Sequence, residues 1–93
     1  MEFEWDEAKR WWNLETRGLD FADVAYFDMN TVLTFEDRRR DYGEPRYNSI
    51  DLLFGRLCTF YWTPRGKRVR IISMRKANDR ERAQYERQTS DLR

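Results

Sequence analysis

The stretch Lys67-Arg-Val-Arg-Ile-Ile-Ser-Met-Arg-Lys76 decides the fold. As a strand it turns Val69, Ile71 and Ser73 to one face and Arg68, Arg70, Ile72 and Met74 to the other. Valine and isoleucine favour the pleated backbone, and Gly66 just ahead of the run supplies a turn. A strand with apolar residues on both faces belongs inside a sheet rather than at its edge. Counted with Arg65, this one also carries six basic residues and no acidic one. An interior strand that projects guanidinium groups needs something anionic to hold, and RNA phosphate meets that need.

The chain on either side supplies its neighbours. Residues 45–54 and 56–63 read as strands joined by a tight turn at Phe54-Gly55, and a second turn at Arg65-Gly66 leads into the strand 67–75. Connections this short make neighbours antiparallel. With Leu53 opposite Arg56 and Pro64 opposite Lys67, one face stacks Tyr47–Trp62–Val69 and Ser49–Phe60–Ile71. The other stacks Arg46–Thr63–Arg68 and Asn48–Tyr61–Arg70, then becomes apolar at Ile50–Thr59–Ile72. A one-residue slip would exchange the faces. Residues 31–35 give a further strand, followed by a charged loop over 36–43.

Helices frame these strands. Glu2-Phe-Glu-Trp5 alternates as a short first strand, and Asp6 is placed to cap a helix over 7–17 that ends at Gly18. Ala8, Trp11, Trp12 and Leu14 form its apolar side. Asp20 heads a second, shorter helix over 21–27 that buries Phe21, Val24 and Ala25 beside Leu19. Asn78, with Glu81 three residues on, makes a capping box for a final helix with only Ala83, Tyr85 and Leu92 to bury. So polar a helix is expected to dock weakly and to be displaceable. The expected architecture is α+β: a small antiparallel sheet, two N-terminal helices on one face and a C-terminal helix. The tryptophans at 5, 11 and 12 are expected in the core, while Trp62 suits either core or binding surface.

Ninety-three residues suit a single domain over 1–93 with one small core. The net charge of +1 hides an asymmetry, because residues 1–44 hold twelve acidic and six basic side chains and residues 45–93 hold five and twelve. Halves of −6 and +7 imply either a cationic side for a polyanion or pairing within the fold. A lone cysteine, Cys58, cannot form an internal disulfide and reads as a small core residue. No apolar run approaches a membrane span, and the acidic N-terminus is unlike a signal peptide. A cytoplasmic protein with no membrane contact is expected.

There is no histidine, which removes the usual general base, the usual zinc ligand and any Ser-His-Asp triad. The carboxylates are dispersed, and the glycines form no phosphate loop. No metal or cofactor is expected. Arginine, lysine, tyrosine and glutamate remain, and they suit cleavage of RNA by its own 2′-hydroxyl. Guanidinium forks match phosphate oxygens, and each fixed charge aimed at a forming oxyanion can lower a barrier by about 3–4 kcal/mol. Arg70 and Arg46 would hold the phosphate. Glu44 and Tyr61 are both candidates for the base, and Tyr61 could instead stack on a nucleobase. Arg70 paired with Glu44 as a structural bridge, and Tyr61 covering apolar area, are the bland alternatives. Arg38-Arg39-Arg40 reads as a solvated loop able to grip backbone phosphates.

The sequence also resembles the BrnT toxins. The resemblance is carried by Phe3-Glu-Trp-Asp6, Lys9, Asn13, Gly18-Leu19 and Phe21, and by Gly43-Glu44-x-Arg46-Tyr47 with Ile50. Most specific is Arg70-Ile-Ile-Ser-x-Arg75-x-Ala77, followed by Glu81 and Tyr85-Glu86. It implies a metal-free ribonuclease toxin of a type II toxin–antitoxin pair with a RelE-like fold. It also implies a BrnA-like antitoxin with a ribbon-helix-helix half, a two-plus-two complex, and DNA contact through the antitoxin alone. With Arg70, Arg46, Glu44 and Tyr61 as catalytic candidates, Arg68, Arg75, Arg17, Lys76 and Arg39 are the expected RNA-binding residues. Two positions depart from the family pattern: Thr16-Arg17 stands where Lys-His is common, and Asp51 stands where glycine is favoured. If the replaced histidine is catalytic, the chain would be a weakened enzyme whose role is to hold the antitoxin and adjust repression.

Overall fold

The computed structural model describes residues 2–28 and 30–90. Its elements run β1 (Glu2–Glu4), α1 (Glu7–Arg17), a 3₁₀ helix (Phe21–Tyr26), β2 (Leu33–Glu36), β3 (Tyr47–Leu53), β4 (Arg56–Arg65), β5 (Arg68–Lys76) and α2 (Asp79–Thr89). The strands form one sheet in the order β1-β5-β4-β3-β2, so the basic strand β5 is interior, as its two apolar faces require. The α+β class holds. The sheet is mixed rather than antiparallel, because β1 runs parallel to β5 with Phe3 beside Val69. That edge is where Phe3 and Trp5 reach the apolar core.

The β3–β4 hairpin has the expected register, with Tyr47 opposite Trp62, Ser49 opposite Phe60 and Leu53 opposite Arg56. Phe54 and Gly55 both take positive φ, 52° and 81°, as a two-residue hairpin turn of the I′ type demands. The β4–β5 hairpin differs from expectation. Its closing pair is Arg65–Arg68, so Gly66 and Lys67 are the central turn residues, and Pro64 faces Val69. Further along, Trp62 faces Ile71 but Tyr61 faces Ser73, so β5 carries one extra residue there. A bulge of this kind reverses the side-chain alternation beyond it. Met74 therefore joins the covered face, fully buried, and Arg75 takes the other.

One face of the sheet is covered by α1 and the 3₁₀ helix over Leu19, Phe21, Val24, Phe27, Cys58, Phe60, Val69, Ile71 and Met74. The segment after Asp20 is 3₁₀ rather than a second α-helix, with Asp23 N–H donating to the Asp20 carbonyl and Phe27 N–H to that of Val24. Six residues give an α-helix few bonds to propagate, whereas a tighter turn seats Phe21, Val24 and Phe27. Ala25 is exposed.

Helix α1 has the expected bounds and ends, capped by Asp6 and stopped by Gly18 at φ 70°. Its apolar side is not the expected one. Trp11 and Trp12 remain 53% and 55% exposed and Ala8 lies outside, whereas Asn13 is buried. Asn13 faces inward because it bonds: its Nδ2 donates to the Leu19 carbonyl (2.9 Å), and its Oδ1 accepts from Met74 N–H (3.4 Å). The tryptophans instead lie beneath Arg10 and Arg17, whose guanidinium carbons are 5.6 and 5.0 Å from the Trp11 and Trp12 rings.

Helix α2 packs on the opposite face, with Tyr85 against Ile50, Leu57 and Ala77. The Asn78–Glu81 capping box is present. Tyr85 and Thr89 are the buried residues, Ala83 is exposed, and Leu92 lies outside the described residues. Asp51 is buried but well supplied, accepting from Tyr85 Oη (2.6 Å), Thr31 Oγ1 (2.8 Å) and Leu52 N–H (2.8 Å).

Candidate functional site

The Thr63–Arg70 pair is the base of the site. Thr63 Oγ1 donates to the Pro45 carbonyl (2.6 Å), which fixes the segment entering β3 against β4 and brings Arg46 and Glu44 alongside. The parallel β1 leads into α1, and Lys9 at the start of that helix reaches the same place. Asp6, Lys9, Glu44, Arg46, Thr63, Arg65 and Arg70 line a cleft of about 220 Å³. Four cations against two carboxylates leave it positive.

The expected catalytic residues Arg46, Arg70 and Glu44 thus share one cleft. Arg70 does not bridge to Glu44. Its Nη1 meets Glu4 Oε2 on the neighbouring strand at 3.1 Å, while Arg65 takes Glu44 at 3.4 Å. Arg70 and Glu4 are each about one-third exposed, at 34% and 30%. A half-open pair of this kind contributes no more than about 1 kcal/mol, so an incoming phosphate can compete for Arg70. Arg46 forms no ion pair among the described residues; its guanidinium stacks on the Tyr42 ring at 4.2 Å, and its Nε is buried without a partner.

Tyr61 lies two residues from Thr63 on the same face of β4, outside the cleft lining. Arg75 Nη2 donates to its hydroxyl oxygen (2.9 Å), and the Arg39 guanidinium carbon lies 4.9 Å from its ring centre. Arg75 is also held bidentately by Glu81 of α2, at 2.7 and 3.0 Å. Burial pushes the Glu81 carboxyl up, but the Arg75 guanidinium and the Asn78 N–H hold it below its ordinary range. Because Tyr61 oxygen already accepts from Arg75, its own proton is the one available to a ligand.

Arg68, Arg70 and Arg75 share this face by register, Arg68 paired with Glu2 at 3.0 Å. Arg17 and Lys76 are not brought to it. Arg17 Nη1 donates to the Met74 carbonyl (3.1 Å) on the helix-covered side, and Lys76, paired with Cys58, alternates to that side from the open-face Arg75. The residues that sequence reasoning missed are Lys9 and Arg65 in the cleft, and Asp37 and Tyr42 in the loop beside it. Lys9 was visible as a helix position and as one of the residues that carry the family resemblance, but not as a member of the site, because its place depends on the parallel β1–β5 pairing.

A cationic cleft on the open part of a sheet, built largely from guanidinium groups, suits an anionic ligand such as a phosphate. Residues 5–81 match the family described as the ribonuclease toxin, BrnT, of type II toxin–antitoxin systems, and the chain belongs to that family. Comparison with curated proteins gives no match. Membership of a ribonuclease toxin family implies an RNA substrate and an antitoxin partner. Among the described residues, no helix is long and apolar enough to cross a membrane.

Proposed function

We propose that residues 1–93 form a single RelE-like toxin domain that cleaves RNA internally without a metal. The observation that carries this is the convergence of Arg46, Arg70, Lys9 and Arg65 around Glu44 in one cleft. The 2′-hydroxyl loses its proton to a base, its oxygen attacks the adjacent phosphorus, and the bond from phosphorus to the 5′-oxygen breaks. The leaving 5′-oxygen takes up a proton, giving a 2′,3′-cyclic phosphate and a 5′-hydroxyl. Arg46 and Arg70 hold the phosphate oxygens as charge builds on them. Glu44 is within the cleft to take the first proton, and Tyr61, whose oxygen accepts from Arg75 and whose own proton is left to donate, is the candidate to give the second. Purified protein with RNA and excess EDTA should yield cyclic-phosphate ends. Folded protein that leaves RNA intact would count against the reading.

A second reading is favoured by the Arg70–Glu4 and Arg65–Glu44 pairs and by Thr16-Arg17 in place of Lys-His. In it the chain is a weakened toxin that binds its antitoxin and adjusts repression. Harmless expression of folded protein without the partner separates the two. In either case the resemblance supports a cytoplasmic two-plus-two complex with a BrnA-like ribbon-helix-helix antitoxin, which alone contacts DNA.

A further inference from the structure

Asp37 directly follows β2, and its backbone N–H donates to the Arg46 carbonyl (2.7 Å), joining the two ends of the loop between them. Its carboxylate is almost wholly buried at 3% exposure, although the arginine it binds is 66% exposed. Four hydrogen bonds converge on it. Oδ1 accepts from Arg39 N–H (3.2 Å) and Arg39 Nε (2.8 Å), and Oδ2 from Arg39 Nη2 (2.9 Å) and the Tyr42 hydroxyl (3.1 Å). One carboxylate therefore sets two arginines. It holds Arg39 over the Tyr61 ring directly, and it holds the Tyr42 ring on which Arg46 stacks.

With Nε and Nη2 engaged, Nη1 of Arg39 carries no hydrogen bond among the described residues, and the side chain as a whole is 66% exposed. A fork clamped on its inner edge and open on its outer edge is prepared for one acceptor from solution. From this geometry we infer that Asp37 is a positioning residue. It presents Arg39 to the RNA phosphate next to the one held by Arg46 and Arg70, along a strand crossing the sheet past Tyr61. The identity of the polyanion rests on the proposed ribonuclease reading.

The test reads binding of a short single-stranded 2′-O-methyl RNA, which cannot be cleaved, as a function of salt. Each phosphate contact adds about 0.7 to the slope of log affinity against log salt. Arg39→Ala is expected to lower that slope by about 0.7. Asp37→Asn, although it removes a negative charge, should lower it equally, because Arg39 loses its clamp. Arg39→Lys keeps the charge, so its slope should stay near that of the wild type while its affinity at fixed salt falls with the loss of the fork. A slope unchanged in Asp37→Asn, or in Arg39→Ala where Asp37→Asn does not fold, overturns the inference whatever happens to the melting temperature. Because the probe is uncleavable, a wild type that binds it but cuts no RNA would sink the nuclease reading and leave this test standing.

Discussion

Arg70 and Arg75 lie five residues apart in β5 yet project from the same face of the sheet, opposite Thr63 and Thr59 respectively. In a regular strand an odd separation places two side chains on opposite faces. The extra residue between Ile71 and Ser73 absorbs the difference. It also sets both guanidinium groups on either side of Tyr61, one in the cleft and one on the phenol oxygen.

The same bulge predicts a stability effect. Met74 is fully buried against the helix-covered core, so Met74→Ala should cost about 2–5 kcal/mol in urea unfolding. Regular alternation would place Met74 on the open face, where truncation typically changes stability by about 0.5 kcal/mol or less. A small change would mean that the strand runs without the bulge.

What the sequence made legible follows from how local each signal is. The bounds and caps of α1, the capping box of α2 and the β3–β4 register depend on residues close in the chain, and they stand as expected. The parallel β1, the bulge and the burial of Asn13 depend on partners 61 to 66 positions away or on a backbone irregularity with no compositional mark. The cleft shared these fates. Arg46 and Arg70 could be grouped because strand alternation puts them on one face, with Glu44 two residues before Arg46, although the expected register set Arg68 rather than Arg70 opposite Thr63; Lys9 enters only through β1. Trp11 and Trp12 misled because hydrophobicity alone does not say which side of a helix finds room.

For the cleft itself, Arg70→Ala should reduce cleavage about 10²–10³-fold, the scale for losing one fixed charge on a forming oxyanion. Its pair with Glu4 is too exposed to matter much to folding, so stability should change by less than about 1 kcal/mol. Single-turnover cleavage beside urea unfolding tests both. A variant that loses stability and activity in proportion would make Arg70 structural.

The exposed tryptophans give a third expectation. Trp11→Ala and Trp12→Ala should each cost no more than about 1 kcal/mol, the contact with Arg10 or Arg17 being the main loss. Acrylamide should quench their emission readily in the folded protein. Cys58, by contrast, is fully buried and its thiol is pushed up by burial, so it should resist a thiol reagent until the chain unfolds.

Tyr85 ties α2 to the sheet through its hydroxyl on buried Asp51. Tyr85→Phe keeps the ring packed but removes a donor from an enclosed carboxylate, which should cost about 1–3 kcal/mol. Hydrogen exchange should show the loss concentrated in α2. Uniform acceleration across the sheet would mean that the helix and sheet unfold as one unit.

The last expectation concerns acid. Asp37 is held down to about 2 from an ordinary 3.8, first by the hydrogen bond from Arg39, with burial opposing and the Arg39 N–H and Tyr42 hydroxyl assisting. A carboxylate whose folded value is depressed stabilises the fold above its unfolded value and loses that contribution as pH falls through the folded one. The window is therefore about pH 4 down to about pH 2. Arg39 is largely in water, so the contribution is about 1–2 kcal/mol rather than the full linkage value. Asp20 and Glu81 are also held low, but they remain in both wild type and Asp37→Asn and cancel in the difference. The stability gap between those two proteins should be complete at pH 5, narrow below pH 4 and close near pH 2. A gap constant across that range would show that the shape of the Asp37 side chain, and not its charge, holds the loop.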